Sequence, residues 1–192
     1  MIKIVEKKVK ELIKKYRLNC SVEEFQDKVN WDWISKFQKL SESFIKEFKN
    51  KVKWGNISSY QKLSESFIRE FQDKVNWNRI SLYQKLSESF IREFKDKVDW
   101  PYISGVQKLS ENFIREFKDK VRWYNISKHQ KLSESFIKEF KDRVNWKYIS
   151  EYQKFSEDFY KEFKDRIDID RLKKNKIINV EIEIIAKVIF KD

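Results

Sequence analysis

Glycine and proline are almost absent from this 192-residue chain, which contains two glycines and one proline. A chain of this length with average composition would carry about 23 of these residues. β-Sandwiches and β-barrels need many turns, so the shortage indicates helices joined by very short loops. A glycine-rich phosphate-binding loop is also excluded, because the two glycines are isolated.

Cysteine and histidine are equally scarce, with one copy each, Cys20 and His129. A structural zinc site needs about four Cys or His ligands, and a disulfide needs two cysteines. A hydrolytic triad would depend on His129, and no nucleophile pattern surrounds it. The sequence therefore predicts a protein that is not an enzyme and holds no metal or cofactor, although catalysis by carboxylates alone stays open.

Long apolar runs are missing as well, since none approaches the roughly 18 residues that a membrane span requires. The first residues, Met1 to Lys7, lack the apolar core of a signal peptide. Aromatic residues make up 16% of the chain, which is too many for a disordered protein. We therefore expect a folded, intracellular protein that does not enter a membrane.

A 23-residue repeat dominates what the sequence does contain. The motif W-x-x-I-S-x-x-Q-K-L-S-E-x-F-I-[KR]-E-F occurs six times, with small changes in the last copy. Each copy begins at a tryptophan: Trp31, Trp54, Trp77, Trp100, Trp123 and Trp146. Self-similarity at a fixed period is the signature of a repeat architecture.

Each repeat is predicted to contain two helices. In the first repeat, Asn30 is an N-cap residue for helix A over about residues 31–38. Ser41 is an N-cap residue for helix B, which we expect to end near Lys51. Acidic and basic residues four apart in helix B, such as the Glu42 and Lys46 pair, predict ion pairs within the helix.

Helices this short are unstable alone, so each repeat must bury its apolar residues against its neighbours. We therefore predict an all-α fold, an α-solenoid of two-helix repeats. Its expected parts are an N-terminal capping helix (1–18), a truncated repeat (19–29), six repeats (30–168) and a degenerate seventh repeat (169–176).

The last segment, 177–192, has a different pattern. Apolar residues alternate with polar ones from Ile178 to Phe190 and many are β-branched, which favours a strand, although a helix with one apolar face stays open. A lone strand needs a partner. We therefore expect a C-terminal cap or a segment that drives homodimerisation.

The tract from Gln61 to Ile68, QKLSESFI, resembles tryptophan-containing repeats in proteins of giant DNA viruses. The resemblance covers about residues 19–175, and the chain is rich in Lys, Asn and Ile, as expected for an AT-rich genome. The resemblance implies a repeat protein in the host cytoplasm or the virion. It implies no established activity.

Several polar positions recur in every repeat. Gln38 and its equivalents could form a ladder of ligand contacts, but a buried glutamine bonded to the neighbouring backbone is favoured. Ser35 and its equivalents are expected to mark close helix approach. Lys39, Lys46 and Glu47 could form a charged binding surface, although surface ion pairs explain them more simply.

The outward face of helix A varies between repeats while the core face is constant, which is typical of modular binding proteins. Aromatic, Asn and Arg residues are common in protein interfaces, and they also suit stacking on unpaired bases. Neutral drift on a solvated face stays open. The candidate binding residues are Trp33, Phe37, Asn56, Tyr60, Arg79, Tyr83, Tyr102, Asn125, His129, Tyr148 and Tyr152.

The net charge of +12 is spread over the chain, so it predicts weak, salt-sensitive attraction to polyanions. The function we expect is a non-catalytic scaffold that binds a protein partner. One alternative is a single-stranded nucleic-acid binder that uses the variable face of helix A. Another is a structural protein that assembles through its ends.

Overall fold

The structure is a computed structural model that describes residues 3–174, and this range contains fifteen α-helices and no strand. The chain divides into two compact units, of which the first ends at Asp99 and the second begins at Trp100. The predicted strand and dimerisation segment, 177–192, lies outside the described residues.

The helices follow the repeat. In the first unit they are α1 (Lys3–Lys15), α2 (Phe25–Lys28), α3 (Trp31–Phe37), α4 (Glu42–Glu47), α5 (Trp54–Tyr60), α6 (Glu65–Glu70), α7 (Trp77–Tyr83) and α8 (Glu88–Glu93). In the second unit they are α9 (Trp100–Val106), α10 (Glu111–Glu116), α11 (Trp123–His129), α12 (Glu134–Glu139), α13 (Trp146–Tyr152), α14 (Glu157–Phe163) and α15 (Ile169–Lys174).

The predicted all-α, solenoid-like packing is confirmed. Successive A helices pack on each other, α3 on α5 and α5 on α7 in the first unit. In the second unit, α11 packs on α9 and α13, and α13 packs on α15. Within each unit, successive repeats therefore bury their apolar residues against each other.

Serine starts helix B as predicted. The Ser41 side chain accepts a hydrogen bond from the Phe44 backbone N–H at 3.2 Å. The equivalent serine caps helix B in all the other repeats. Helix A is capped less uniformly, because Asn30 accepts a bond from the Trp33 N–H at 2.9 Å, whereas Lys53 makes no side-chain cap.

Helix B is shorter than predicted. α4 ends at Glu47 instead of near Lys51, and Phe48 adopts φ −101° and ψ 29°, outside the helical region. The following turn directs the N–H groups of Lys51 and Val52 to the Phe48 carbonyl, at 2.9 and 3.0 Å. Phe48 and Val52 stay buried in this turn, so the apolar pattern alone could not distinguish it from a continued helix.

The core of each repeat is a cluster of three rings. In the second repeat, the Trp54 ring centroid lies 5.1 Å from that of Phe71, which lies 4.7 Å from that of Phe67. The Trp54 indole N–H donates to the Lys49 carbonyl at 2.9 Å, and the ring is half-buried. The tryptophan therefore joins helix A to the preceding turn as well as filling the core.

The N-terminal helix α1 buries Val5, Val9 and Leu12 completely. It ends in a left-handed residue, Arg17 at φ 50°, and the Leu18 N–H donates to the Ile13 carbonyl at 3.0 Å, as in a Schellman motif. A capping box follows. The Ser21 N–H donates to the Glu24 carboxylate at 2.9 Å, and the Glu24 N–H donates to the Ser21 hydroxyl at 3.2 Å.

The recurring glutamine bonds to the backbone of the preceding repeat, which confirms the favoured interpretation. The Gln61 amide donates to the carbonyls of Ser35 and Gln38, at 2.9 and 2.8 Å. Its carbonyl accepts a bond from the Leu40 N–H at 2.9 Å. These groups are otherwise unpaired at the C-terminal end of a helix, so Gln61 caps helix α3 from the next repeat.

The recurring serine of helix A also connects repeats, a role that the sequence pattern did not predict. The Ser35 hydroxyl accepts a hydrogen bond from the Lys53 N–H at 2.9 Å. The Ser58 hydroxyl accepts the equivalent bond from the Asn76 N–H at 3.0 Å and donates to the Trp54 carbonyl at 2.7 Å. This serine orders the backbone that enters the next helix A.

Ion pairs form mainly between repeats instead of within helix B. Lys46 pairs with Glu70 at 2.5 Å, and the Glu42 carboxylate accepts a bond from the Ser64 N–H at 2.5 Å. The predicted pairing of Glu42 with Lys46 is therefore wrong for this repeat. The equivalent pair within helix B does form in three other repeats, as for Glu157 and Lys161 at 2.6 Å. Spacing along one helix could not reveal that a neighbouring helix offers closer partners.

Candidate functional site

The last residue of each A helix is exposed to solvent. In the first unit these residues are Phe37, Tyr60 and Tyr83, whose exposed fractions are 58%, 53% and 55%. We call these three side chains the ring row. Successive A helices pack side by side, so the ring row presents one aromatic side chain per repeat on the surface of the first unit.

A cleft of about 500 Å³ lies between the ends of α3 and α5. Two rings of the ring row, Phe37 and Tyr60, line it together with Lys36, Lys39 and Lys62, and none of the lining residues is acidic. The Lys36 ammonium lies 4.9 Å from the centroid of Phe37 and 5.4 Å from that of Tyr60. The cleft therefore combines exposed aromatic surface with uncompensated positive charge.

Other candidate binding residues of the first unit contact side chains elsewhere in the chain. Trp33 packs edge-on against Tyr16, with ring centroids 4.7 Å apart. The Asn56 amide donates to the Asp32 carboxylate at 3.0 Å, and the Arg79 guanidinium donates to the Ser59 hydroxyl at 2.9 Å. These hydrogen bonds occupy donor groups of Asn56 and Arg79 that could otherwise bind a ligand.

In the second unit, Tyr148 and Tyr152 stack with centroids 5.9 Å apart, and the Tyr148 hydroxyl lies 2.6 Å from that of Tyr124. The Asn125 amide donates to the Pro101 carbonyl at 2.8 Å. Tyr102 is exposed, with 38% of its surface accessible. At the end of helix A, this unit has Val106, His129 and Tyr152, so a phenylalanine or tyrosine occupies this position only in the last of its three repeats.

Two charged residues that the sequence pattern did not single out, Arg171 and Glu151, contact Tyr148 and Tyr152. Arg171 pairs with Glu151 and lies 5.7 Å above the Tyr148 ring. A hydrogen bond with Tyr152, and then the pairing with Arg171, lower the pKa of Glu151. The bond to Glu151 in turn raises the pKa of Tyr152. Arg171 belongs to the degenerate seventh repeat. A search of the sequence for opposite charges at matching positions of adjacent repeats, such as Glu151 and Arg171, could have identified it.

His129 is the only histidine, and its surroundings disfavour the charged imidazolium. The side chain is exposed, but partial desolvation by the surrounding chain, and secondly the charge of Lys128, lower its pKa from 6.5. Gly105 of the preceding helix A lies beside the ring, since a Cβ at that position would make an ordinary van der Waals contact, 3.8 Å, with the imidazole Cδ2.

We expect the imidazole protons of His129, followed by NMR, to titrate with a pKa below 6.5. The folded state then disfavours the proton, so its contribution to stability is present above the unfolded pKa and is lost as pH falls. Lys128→Gln should move the pKa of His129 upward, and Lys147→Gln serves as a control on the next A helix. A pKa at or above 6.5 in the unaltered chain would contradict the partial desolvation of this ring.

Within residues 3–174, no group of three or more His, Cys, Asp or Glu side chains is placed to hold a metal ion. In the same range, no helix has both the length and the apolarity needed to cross a membrane. Comparisons with protein-family models, with curated proteins and with solved structures found no match to this chain.

Proposed function

We propose that this chain is a non-catalytic helical-repeat scaffold that binds a protein partner through the ring row. The observation that carries the proposal is the exposure of Phe37, Tyr60 and Tyr83 at the same helical position, each more than half accessible. Burying three aromatic side chains contributes strongly to association, because such residues dominate the energetics of protein interfaces.

A protein partner fits these surroundings better than a base-reading mode. Sequence-specific recognition of unpaired bases needs free hydrogen-bonding groups beside the stacking rings. Here Asn56 bonds Asp32, and Arg79 bonds Ser59. The rings are left as the principal contact groups, which supports apolar packing against a partner's side chains.

A display library of random peptides, panned on the immobilised chain, tests the proposal whatever the identity of the partner. A variant with Phe37→Ala, Tyr60→Ala and Tyr83→Ala is panned in parallel. The matched control carries Lys49→Ala, Asn50→Ala and Lys74→Ala, which alters three exposed residues in the turns after helix B. Circular dichroism checks that all three proteins are equally helical.

We expect the same peptides to be enriched on the unaltered chain and on the control. They should not be enriched on the ring variant, which carries Phe37→Ala, Tyr60→Ala and Tyr83→Ala. Removing three aromatic side chains that a bound peptide would cover should weaken the binding of selected peptides about 100-fold or more, since each hot-spot ring contributes about 1–2 kcal/mol. Peptides that bind the ring variant equally well, or the absence of any enriched peptide, would refute the ring row as a protein-binding site.

A further inference from the structure

Most positions that recur in the repeat have a partner inside the chain. The glutamine and serine of helix A bond neighbouring backbone groups, and the basic residue after Ile45 and its equivalents forms ion pairs. The lysine that follows the glutamine is different. Within residues 3–174 it forms no ion pair or hydrogen bond with the chain, and it is exposed in every repeat: Lys39, Lys62, Lys85, Lys108, Lys131 and Lys154.

The basic residues of helix B show how the chain neutralises charge elsewhere. Arg69 pairs with Glu93 at 2.7 Å, and in the second unit Lys138 pairs with Glu162 at 2.5 Å. No acidic residue lines the cleft that contains Lys39 and Lys62. The recurring lysine therefore leaves positive charge beside the ring row, and the fold does not use it.

We infer that the ring row and the lysines Lys39, Lys62 and Lys85 bind an extended, acidic segment of the partner polypeptide. This inference rests on the proposed function and specifies the partner's chemistry. The three lysines are called the lysine row below. Carboxylates of the segment would pair with the lysine row while its apolar side chains cover the rings, which matches both properties of the cleft.

The spacing of the A helices sets the register of such a segment. Packed helices lie about 8–10 Å apart, and an extended chain advances about 3.3 Å per residue. One lysine therefore meets about every third residue of a segment that runs across α3, α5 and α7. The whole lysine row spans about six to seven residues of the partner.

A single-stranded nucleic acid fits the pattern less well. Its binding sites combine basic residues with a stacking ring for successive bases. In the second unit the lysine recurs at Lys108, but Val106 occupies the ring position of that repeat. A valine offers no face to a base, whereas it packs well against apolar peptide side chains. The lysine thus recurs independently of stacking.

The peptide library provides the test when it is panned on a variant with Lys39→Gln, Lys62→Gln and Lys85→Gln. A charge-matched control carries Lys28→Gln, Lys49→Gln and Lys74→Gln, three exposed lysines of the same unit. Peptides enriched on the unaltered chain should contain an excess of Asp and Glu. The best peptide, labelled with a fluorophore, is then titrated by anisotropy, as is a poly-uridine oligonucleotide of equal charge.

We expect the lysine-row variant to bind the selected peptide about tenfold more weakly, because three exposed ion pairs are lost. The control should bind within about twofold of the unaltered chain, and added salt should weaken binding through screening. This inference would be overturned, while the proposed function stands, by either of two results. One is that the peptides that need the ring row show no excess of Asp and Glu, and the other is that both lysine variants bind the selected peptide with equal affinity. Tighter binding of the oligonucleotide than of the peptide would overturn both proposals.

Discussion

Replacing Gln61 with leucine is expected to destabilise the first unit by about 3 kcal/mol. Leucine fills a similar volume, but it leaves the Leu40 N–H and the carbonyls of Ser35 and Gln38 without their partner. Each buried polar group that loses its partner costs about 1–3 kcal/mol. Only 5% of Gln61 is accessible, so water does not readily replace the lost bonds.

Urea unfolding followed by circular dichroism measures this effect. Gln72→Leu is the matched control, because Gln72 is half-exposed and its side chain accepts one bond, from Lys97 at 2.8 Å. The control should change the free energy of unfolding by no more than about 0.5 kcal/mol. If the two glutamines proved equally tolerant of leucine, the capping of α3 by the next repeat would be refuted.

Truncating Phe90 to alanine should destabilise the same unit by about 3–5 kcal/mol, the usual cost of a large cavity. The Phe90 side chain is completely buried. Its ring lies 4.7 Å from Phe94 and 6.2 Å from Trp77 between centroids, so its contacts with two other rings are lost at once. Chemical unfolding gives the change, and tryptophan fluorescence reports the disturbed environment of Trp77.

Tyr83→Ala is the control for this experiment, since it removes an aromatic ring from the same repeat at a site that is 55% exposed. Its effect on the free energy of unfolding should stay within about 0.5 kcal/mol. A large loss of stability from Tyr83→Ala would show that the ring row supports the fold, and its proposed role in binding would lose its basis.

The repeat made much of the architecture predictable from sequence. The 23-residue period, the serine N-caps and the apolar positions determine where helices begin and which side chains are buried. The scarcity of glycine also finds an explanation in the structure. Helix α3 ends at Phe37 without a left-handed glycine, because Gln61 supplies the bonds to its last carbonyls.

Contacts between repeats were harder to foresee. Bonds such as Ser35 to Lys53, or the pairing of Lys51 with Asp27 at 2.8 Å, join residues that lie far apart along the chain. A helical wheel shows neighbours three or four residues away only. For the same reason, the sequence indicated the variable face of helix A but could not show that Asn56 and Arg79 are engaged while Tyr60 is exposed.

We propose that the recurring lysine serves binding, whereas the other recurring polar residues hold the repeats together. Urea unfolding of the variant with Lys39→Gln, Lys62→Gln and Lys85→Gln separates these two roles. We predict a free energy of unfolding equal to that of the unaltered chain or slightly higher, because the net charge falls from +12 to +9 (12 − 3). A loss of more than about 1 kcal/mol would show that these lysines stabilise the fold, and it would contradict the claim.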